Sequence, residues 1–174
     1  MKAIRVFISV IIVLFYSKIE AQDICNFRNL SIDSIRPKIG SIVRKSMSEN
    51  DTCILSFIEY CKDSFIKTNK RKYLEIIDSC WKHSDGYVSD LIAEVSTDLF
   101  DEKFEGWFKY VYENRNDTDN RDYSIIKNLF MESMVEKGRQ NAEKKINSVQ
   151  ASSDYTEEQK NYLIMLFKHA NFSQ

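Results

Sequence analysis

The side chains of this chain whose types could carry chemistry are four cysteines, two histidines and one oxygen-rich stretch. Hydrolytic catalysis usually combines a nucleophile, a base and a group that orients the base, and only His83 and His169 could supply an imidazole base. The chain has no G-x-S-x-G, no H-E-x-x-H and no glycine-rich phosphate loop. Ser64 with Lys67 fits S-x-x-K, but so do Ser79 with Lys82 and Ser124 with Lys127, and none has the companion motifs of a serine-lysine enzyme. His83, Asp85 and Asp90 are the nearest approach to a metal cluster. A histidine at a helix C-terminus is already explained by the helix dipole and the last carbonyls. Asn114, Asn116, Asp117, Asp119, Asn120 and Asp122 resemble a calcium loop in their oxygen content, yet lack its central glycine and closing glutamate. These absences favour a non-enzymatic protein with no cofactor and no metal.

What the cysteines do depends on the compartment. Lys2 and Arg5 precede an apolar run, Val6 to Tyr16, broken only by Ser9, and Ala21 offers a small residue before Gln22. Residues 1–21 therefore read as a cleaved secretory signal peptide. The run is about half the ~20 residues a membrane span needs, so no span is expected. Export places Cys25, Cys53, Cys61 and Cys80 in an oxidising environment, where two disulfides are favoured over four thiols. Ile54, Phe57, Ile58, Cys61 and Phe65 have helical spacing, and eight residues of helix rise about 12 Å. A disulfide needs Cα atoms within roughly 7 Å, so Cys53 cannot pair with Cys61. Cys61 with Cys80 and Cys25 with Cys53 is the preferred pairing, because a hairpin turning near Asn69 brings Cys61 and Cys80 almost level. Cys53 with Cys80 and Cys25 with Cys61 stays open through a register shift of one helical turn. Export also gives meaning to four glycosylation sequons, at Asn29, Asn50, Asn116 and Asn171, each expected on exposed surface.

The elements that position these residues should all be helices. One proline and four glycines are too few for the turns of a sheet protein. Removal of residues 1–21 leaves 153 residues, enough for one domain with its own core. The expected fold is an all-α, disulfide-pinned bundle of about six or seven helices occupying residues 22–174. Apolar stripes place helices from about residue 33 to 47, over 52–68, over 73–81, from Val88 to Leu99, and from Phe104 to Tyr112. Ser84, Asp85 and Gly86 should stop the third of these. Asn114 to Arg121 contains no apolar residue and reads as a loop. A long helix could then run from Tyr123 to Val149, with Gly138 as a kink or break. Thr156 and Gln159, at capping-box spacing, open the last.

The final third, with Tyr155-Thr-Glu-Glu-Gln-Lys160 leading into Tyr162 to Phe167, and the run Asp98-Leu-Phe-Asp-Glu-Lys103 before Trp107, resembles the nematode SXP secreted antigen family. The cysteine-bearing first half departs from that family, and neither its ion binding nor its antigenic role is carried over.

The mature charge is −3, from 22 basic and 25 acidic residues, which asks for neither nucleic acid nor an anionic membrane. The expected function is that of a secreted, non-enzymatic helical binding or effector protein, of the kind found in venom, saliva or parasite secretions, acting on an unknown extracellular partner. Lys67, Lys70, Arg71 and Lys72 form the densest basic patch and are the candidate contact. The alternative is a carrier of small apolar ligands such as fatty acids or retinoids. Leu91, Phe104, Trp107, Phe108, Leu163 and Phe167 would then line an interhelical pocket.

Overall fold

The computed structural model describes residues 24–49, 51–84, 86–116 and 136–169, and these are all-helical with no strand. The expected signal segment 1–21, the sequons at Asn50 and Asn171, and most of the expected loop and the first half of the expected long helix lie outside the described residues. A 3-10 turn, Ile24–Asn29, leads into a short α turn Ile32–Ile35, a 3-10 turn Arg36–Lys38 that accommodates Pro37, and helix α1, Ile39–Glu49. The first helix thus begins at Ile32 and is tightened at Pro37, as a ring with fixed φ and no N–H requires near a helix start.

Helix α2, Thr52–Thr68, has the expected stripe, with Ile54, Phe57, Ile58, Cys61 and Phe65 buried. It ends where Asn69 takes the left-handed conformation (φ 54°, ψ 27°) and returns its N–H to the Phe65 carbonyl at 2.7 Å. An Asn at such a C-terminal position lowers the steric cost of positive φ relative to a bulkier residue. Helix α3, Lys72–Trp81, turns back along α2 and buries Leu74, Ile76, Ile77 and Cys80. Gly86, at φ +43°, begins α4, Gly86–Glu102, instead of only terminating α3. Helix α5, Phe104–Glu113, follows after the single residue Lys103. Helix α6, Glu136–Ala151, passes through Gly138 without a break, and α7 is Glu157–His169. The capping box at its start is formed as expected: Gln159 N–H donates to Thr156 Oγ1 at 3.2 Å, and Thr156 N–H donates to Gln159 Oε1 at 2.9 Å.

The core joins all these elements, from Phe27 and Ile35 through α2 and α4 to Ala142, Leu163 and Leu166. Each fully buried Phe, Ile or Leu contributes about 1.5–3 kcal/mol by leaving water, so helix burial and not helix propensity holds the bundle. Two close approaches fix the helix positions. Gly106 of α5 lies where an added Cβ would stand 2.8 Å from the Phe65 ring and nearer still to the Asn69 side chain. Lys145 of α6 donates its ammonium to the carbonyls of Phe100 and Asp101, the latter at 2.7 Å, and so caps the α4 C-terminus from a neighbouring helix.

Candidate functional site

Cys25 and Cys53 form a disulfide with Cα atoms 4.9 Å apart, joining the first 3-10 turn to the start of α2. Phe27 packs beside it against the rings of Phe57 and Tyr60, at centroid separations of 5.4 and 5.1 Å. Cys61 and Cys80 depart from the expected second bridge: both are free thiols. The α2–α3 hairpin does bring both into the core, each at 0 % exposure, and Cys80 is near enough to contribute to the upward shift of the Cys61 thiol. Axial level decides only that two cysteines can meet. Bridging further requires converging Cβ–Sγ directions, which spacing along two helices does not specify. Burial pushes both thiols well above their ordinary range, with the Asp78 carboxylate adding to the effect at Cys80, so neither supplies a thiolate nucleophile. Unreduced protein should therefore leave an aromatic disulfide reagent untouched when native and release two equivalents of thiolate on denaturation. Finding none after denaturation would restore the second bridge.

His83 lies just past α3, where its backbone N–H donates to the Cys80 carbonyl at 3.1 Å. Its ring instead reaches α1. It sits in the space left by the missing side chain of Gly40, and its Nδ1 is 3.0 Å from the Arg44 guanidinium. An arginine can only donate, so Nδ1 accepts and the imidazole is neutral in this arrangement. Burial first, then the charges of Arg44 and Lys82, hold its pKa below the usual value. The unfolded chain consequently takes up this proton before the folded one does. Stability from this site is complete above about pH 6.5 and is lost as the pH falls through the lower folded-state value. Urea midpoints at pH 7.5 and 5.5 should show this loss in the wild type and a smaller one in His83→Gln. Among the described residues, no group of three or more His, Cys, Asp or Glu could hold a metal ion.

Two of the four cations of the basic patch are engaged in ion pairs. Arg71 lies 5.2 Å above the Tyr110 ring and pairs with Glu75 at 3.1 Å and with Glu113. Lys72 pairs with Asp33 at 3.0 Å. These two cations tie α3 to α5 and to the first helical turns. The tie is reinforced by the Tyr110 hydroxyl, which donates to Asp78 from a nearly buried ring and whose pKa burial pushes up. Only Lys67 and Lys70 remain exposed with no ion pair among the described residues. Charge density along the sequence revealed the patch, whereas its partners are 39 and 42 residues away and carry no local signal.

Among the described residues, the six side chains considered for an apolar pocket are divided between the core and two grooves. Trp107, Phe108 and Leu163 are buried in the core. Phe104 stacks on Phe108 at 5.7 Å and leans on Trp107 at 6.1 Å, so these rings fill one another's space. Leu91 lines a separate groove between α2 and α4, and Phe167 packs half-buried against the core. Phe108 also borders a groove of about 420 Å³ between α5 and the start of α7, with Tyr112, Tyr155 and Gln159. The α2–α4 groove is larger, about 560 Å³, and carries Glu59, Asp63, Asp90 and Glu94 on its walls. No motif in the sequence points to it, because the lining residues of its two halves are 24 or more positions apart. Of the sequons, Asn29 and Asn116 lie in the described residues and both are exposed.

Comparison with protein-family models, with curated proteins and with solved structures finds no match to this chain, and the likeness to the SXP antigens receives no support from them.

Proposed function

We propose that this chain is an exported, non-enzymatic binding or effector protein that engages an extracellular partner through its helical surface. The observation that carries the reading is the Cys25–Cys53 disulfide, which persists in oxidising compartments and is rare in reducing ones. It stands beside a signal-like amino terminus and exposed sequons at Asn29 and Asn116. The remaining reactive side chains among the described residues support it too. Cys61 and Cys80 are buried thiols of raised pKa, Tyr110 is bonded to Asp78, and His83 is held against Arg44. Each is occupied in packing or in pairing between helices, and the two thiols, the strongest nucleophiles among them, are fully buried.

The test is expression of the full chain in secretory cells. The medium should contain a protein beginning at Gln22, and that protein, labelled, should bind intact cells saturably and be displaced by unlabelled protein. Retention of Met1 on a cell-associated product would overturn the export reading. Absence of saturable binding on every cell type of the source tissue would overturn the binding role.

A further inference from the structure

The groove between α2 and α4 is bounded by two pairs of carboxylates at i,i+4 spacing, Glu59 with Asp63 on α2 and Asp90 with Glu94 on α4. Like charges at that spacing destabilise an isolated helix by a few tenths of a kcal/mol, so the arrangement costs stability on both walls. Arg28 is the single cation among the lining residues, against four carboxylates. Lys62 approaches Glu59 at 2.7 Å, but its ammonium is shared with Asp98 at 2.8 Å. Asp63, Asp90 and Glu94 are exposed and make no ion pair among the described residues.

The same groove holds the most exposed large apolar side chain among the described residues, Tyr87, at 79 %. Tyr60, Leu55 and Leu91 continue an apolar floor from it. An exposed phenol ring lining the same groove as carboxylates is suited to an alkyl-ammonium or guanidinium group, which it attracts through its face while covering the alkyl stem. No three of the acidic side chains are near enough together to hold a metal ion, so their charge is spread along the groove. The spacing has a match in an extended peptide. Carboxylates four residues apart on a helix are about 6 Å apart along its axis, and alternate side chains of an extended chain are about 6.6 Å apart.

We propose that this groove docks an extended segment of an extracellular partner in which lysine or arginine alternates with small or apolar residues. The proposal deepens the binding reading above and rests on it. Cations at alternate positions meet the carboxylate pairs, the intervening side chains lie on Leu55 and Leu91, and the stem of one cation covers Tyr87. Electrostatic complementarity of this kind sets partner choice and association rate, and it is weakened by salt.

The experiment is fluorescence anisotropy of a labelled Lys-Ala-Lys-Ala-Lys-Ala peptide with the secreted, disulfide-intact protein. Saturable binding at low salt is expected, falling steeply as salt is raised. Asp90→Asn with Glu94→Gln should weaken it at least tenfold, and Tyr87→Ala several-fold. All three positions are exposed, and circular dichroism checks that these variants fold. Lys144→Glu with Lys168→Glu, exposed on α6 and α7 and absent from the groove's lining, should leave the affinity within twofold. Equal binding by wild type and the Asp90/Glu94 variant, or no saturable binding, would overturn the proposal. So would spermidine competing as tightly as the peptide, since that would make the site one for small polyamines. The same Asp90/Glu94 variant applied to intact cells separates the two levels of the argument. Full cell binding by the variant removes the groove and leaves the binding role, whereas no cell binding by the wild type removes the binding role itself.

Discussion

Replacing Cys25 and Cys53 together by serine should lower the stability of the folded protein by about 3–4 kcal/mol, the chain-entropy value for a loop of this size. The two residues are 28 apart, so the bridge removes a moderately long loop from the freedom of the unfolded chain. For a chain of 174 residues the loss corresponds to a fall in Tm of about 10 °C. The expected result is that fall in calorimetry, with the helical content of α4 to α7 retained below the transition. The local reason is equally specific. The disulfide holds the 3-10 turn that lays Phe27 between Phe57 and Tyr60, and without it Phe27 must hold that turn by burial alone. A Tm unchanged by the double substitution would mean that Phe27 suffices.

Trp107→Ala should be the most damaging single substitution, costing about 3–5 kcal/mol, as truncation of a fully buried aromatic residue does when the site cannot collapse. Trp107 is at 0 % exposure, edge-on to Phe100 at 5.2 Å and tilted against Phe104 at 6.1 Å. Collapse is hindered on both sides. Gly106 beside it already lets α5 approach Phe65 and Asn69 closely, and Lys145 pins Phe100 and Asp101 from α6. Urea unfolding should show a lower midpoint with little change in slope. The cavity left behind gives a second readout. Benzene or indole should restore part of the lost stability to Trp107→Ala and none to the wild type, because the wild-type rings fill that space. Equal stabilisation of both proteins would show a pocket beside Trp107 and favour the apolar-carrier reading.

The helices were legible because their signal is local. Ile54, Phe57, Ile58, Cys61 and Phe65 repeat at helical spacing, and the structure buries those five on α2. The capping box at Thr156 and Gln159 is likewise a three-residue relation, and it is formed. Scarcity of proline and glycine excluded sheets for the same reason, since turns are made by particular residues at particular places. The exclusion of a Cys53–Cys61 bridge needed only the rise of one helix.

Relations between helices were decided by the tertiary structure alone. Cys61 and Cys80 meet in the core as thiols, because convergence of two side chains depends on the rotation of each helix about its axis, and a stripe of apolar residues fixes that rotation only coarsely. Arg71 and Lys72 looked like a free cationic surface in the sequence, yet Glu113 and Asp33 lie against them across helix packing that no local pattern encodes. The aromatic run from Phe104 to Tyr112 was equally compatible with a core and with a cavity. Ring packing of Trp107 against Phe100 and of Phe108 against Phe104, with Phe65 admitted close to the bare backbone of Gly106, places Trp107 and Phe108 in the core. The α2–α4 groove has the same origin. Two unremarkable i,i+4 carboxylate pairs become one acidic channel only when their helices are laid side by side, because periodicity reports which face of a helix is wet and not what that face stands opposite.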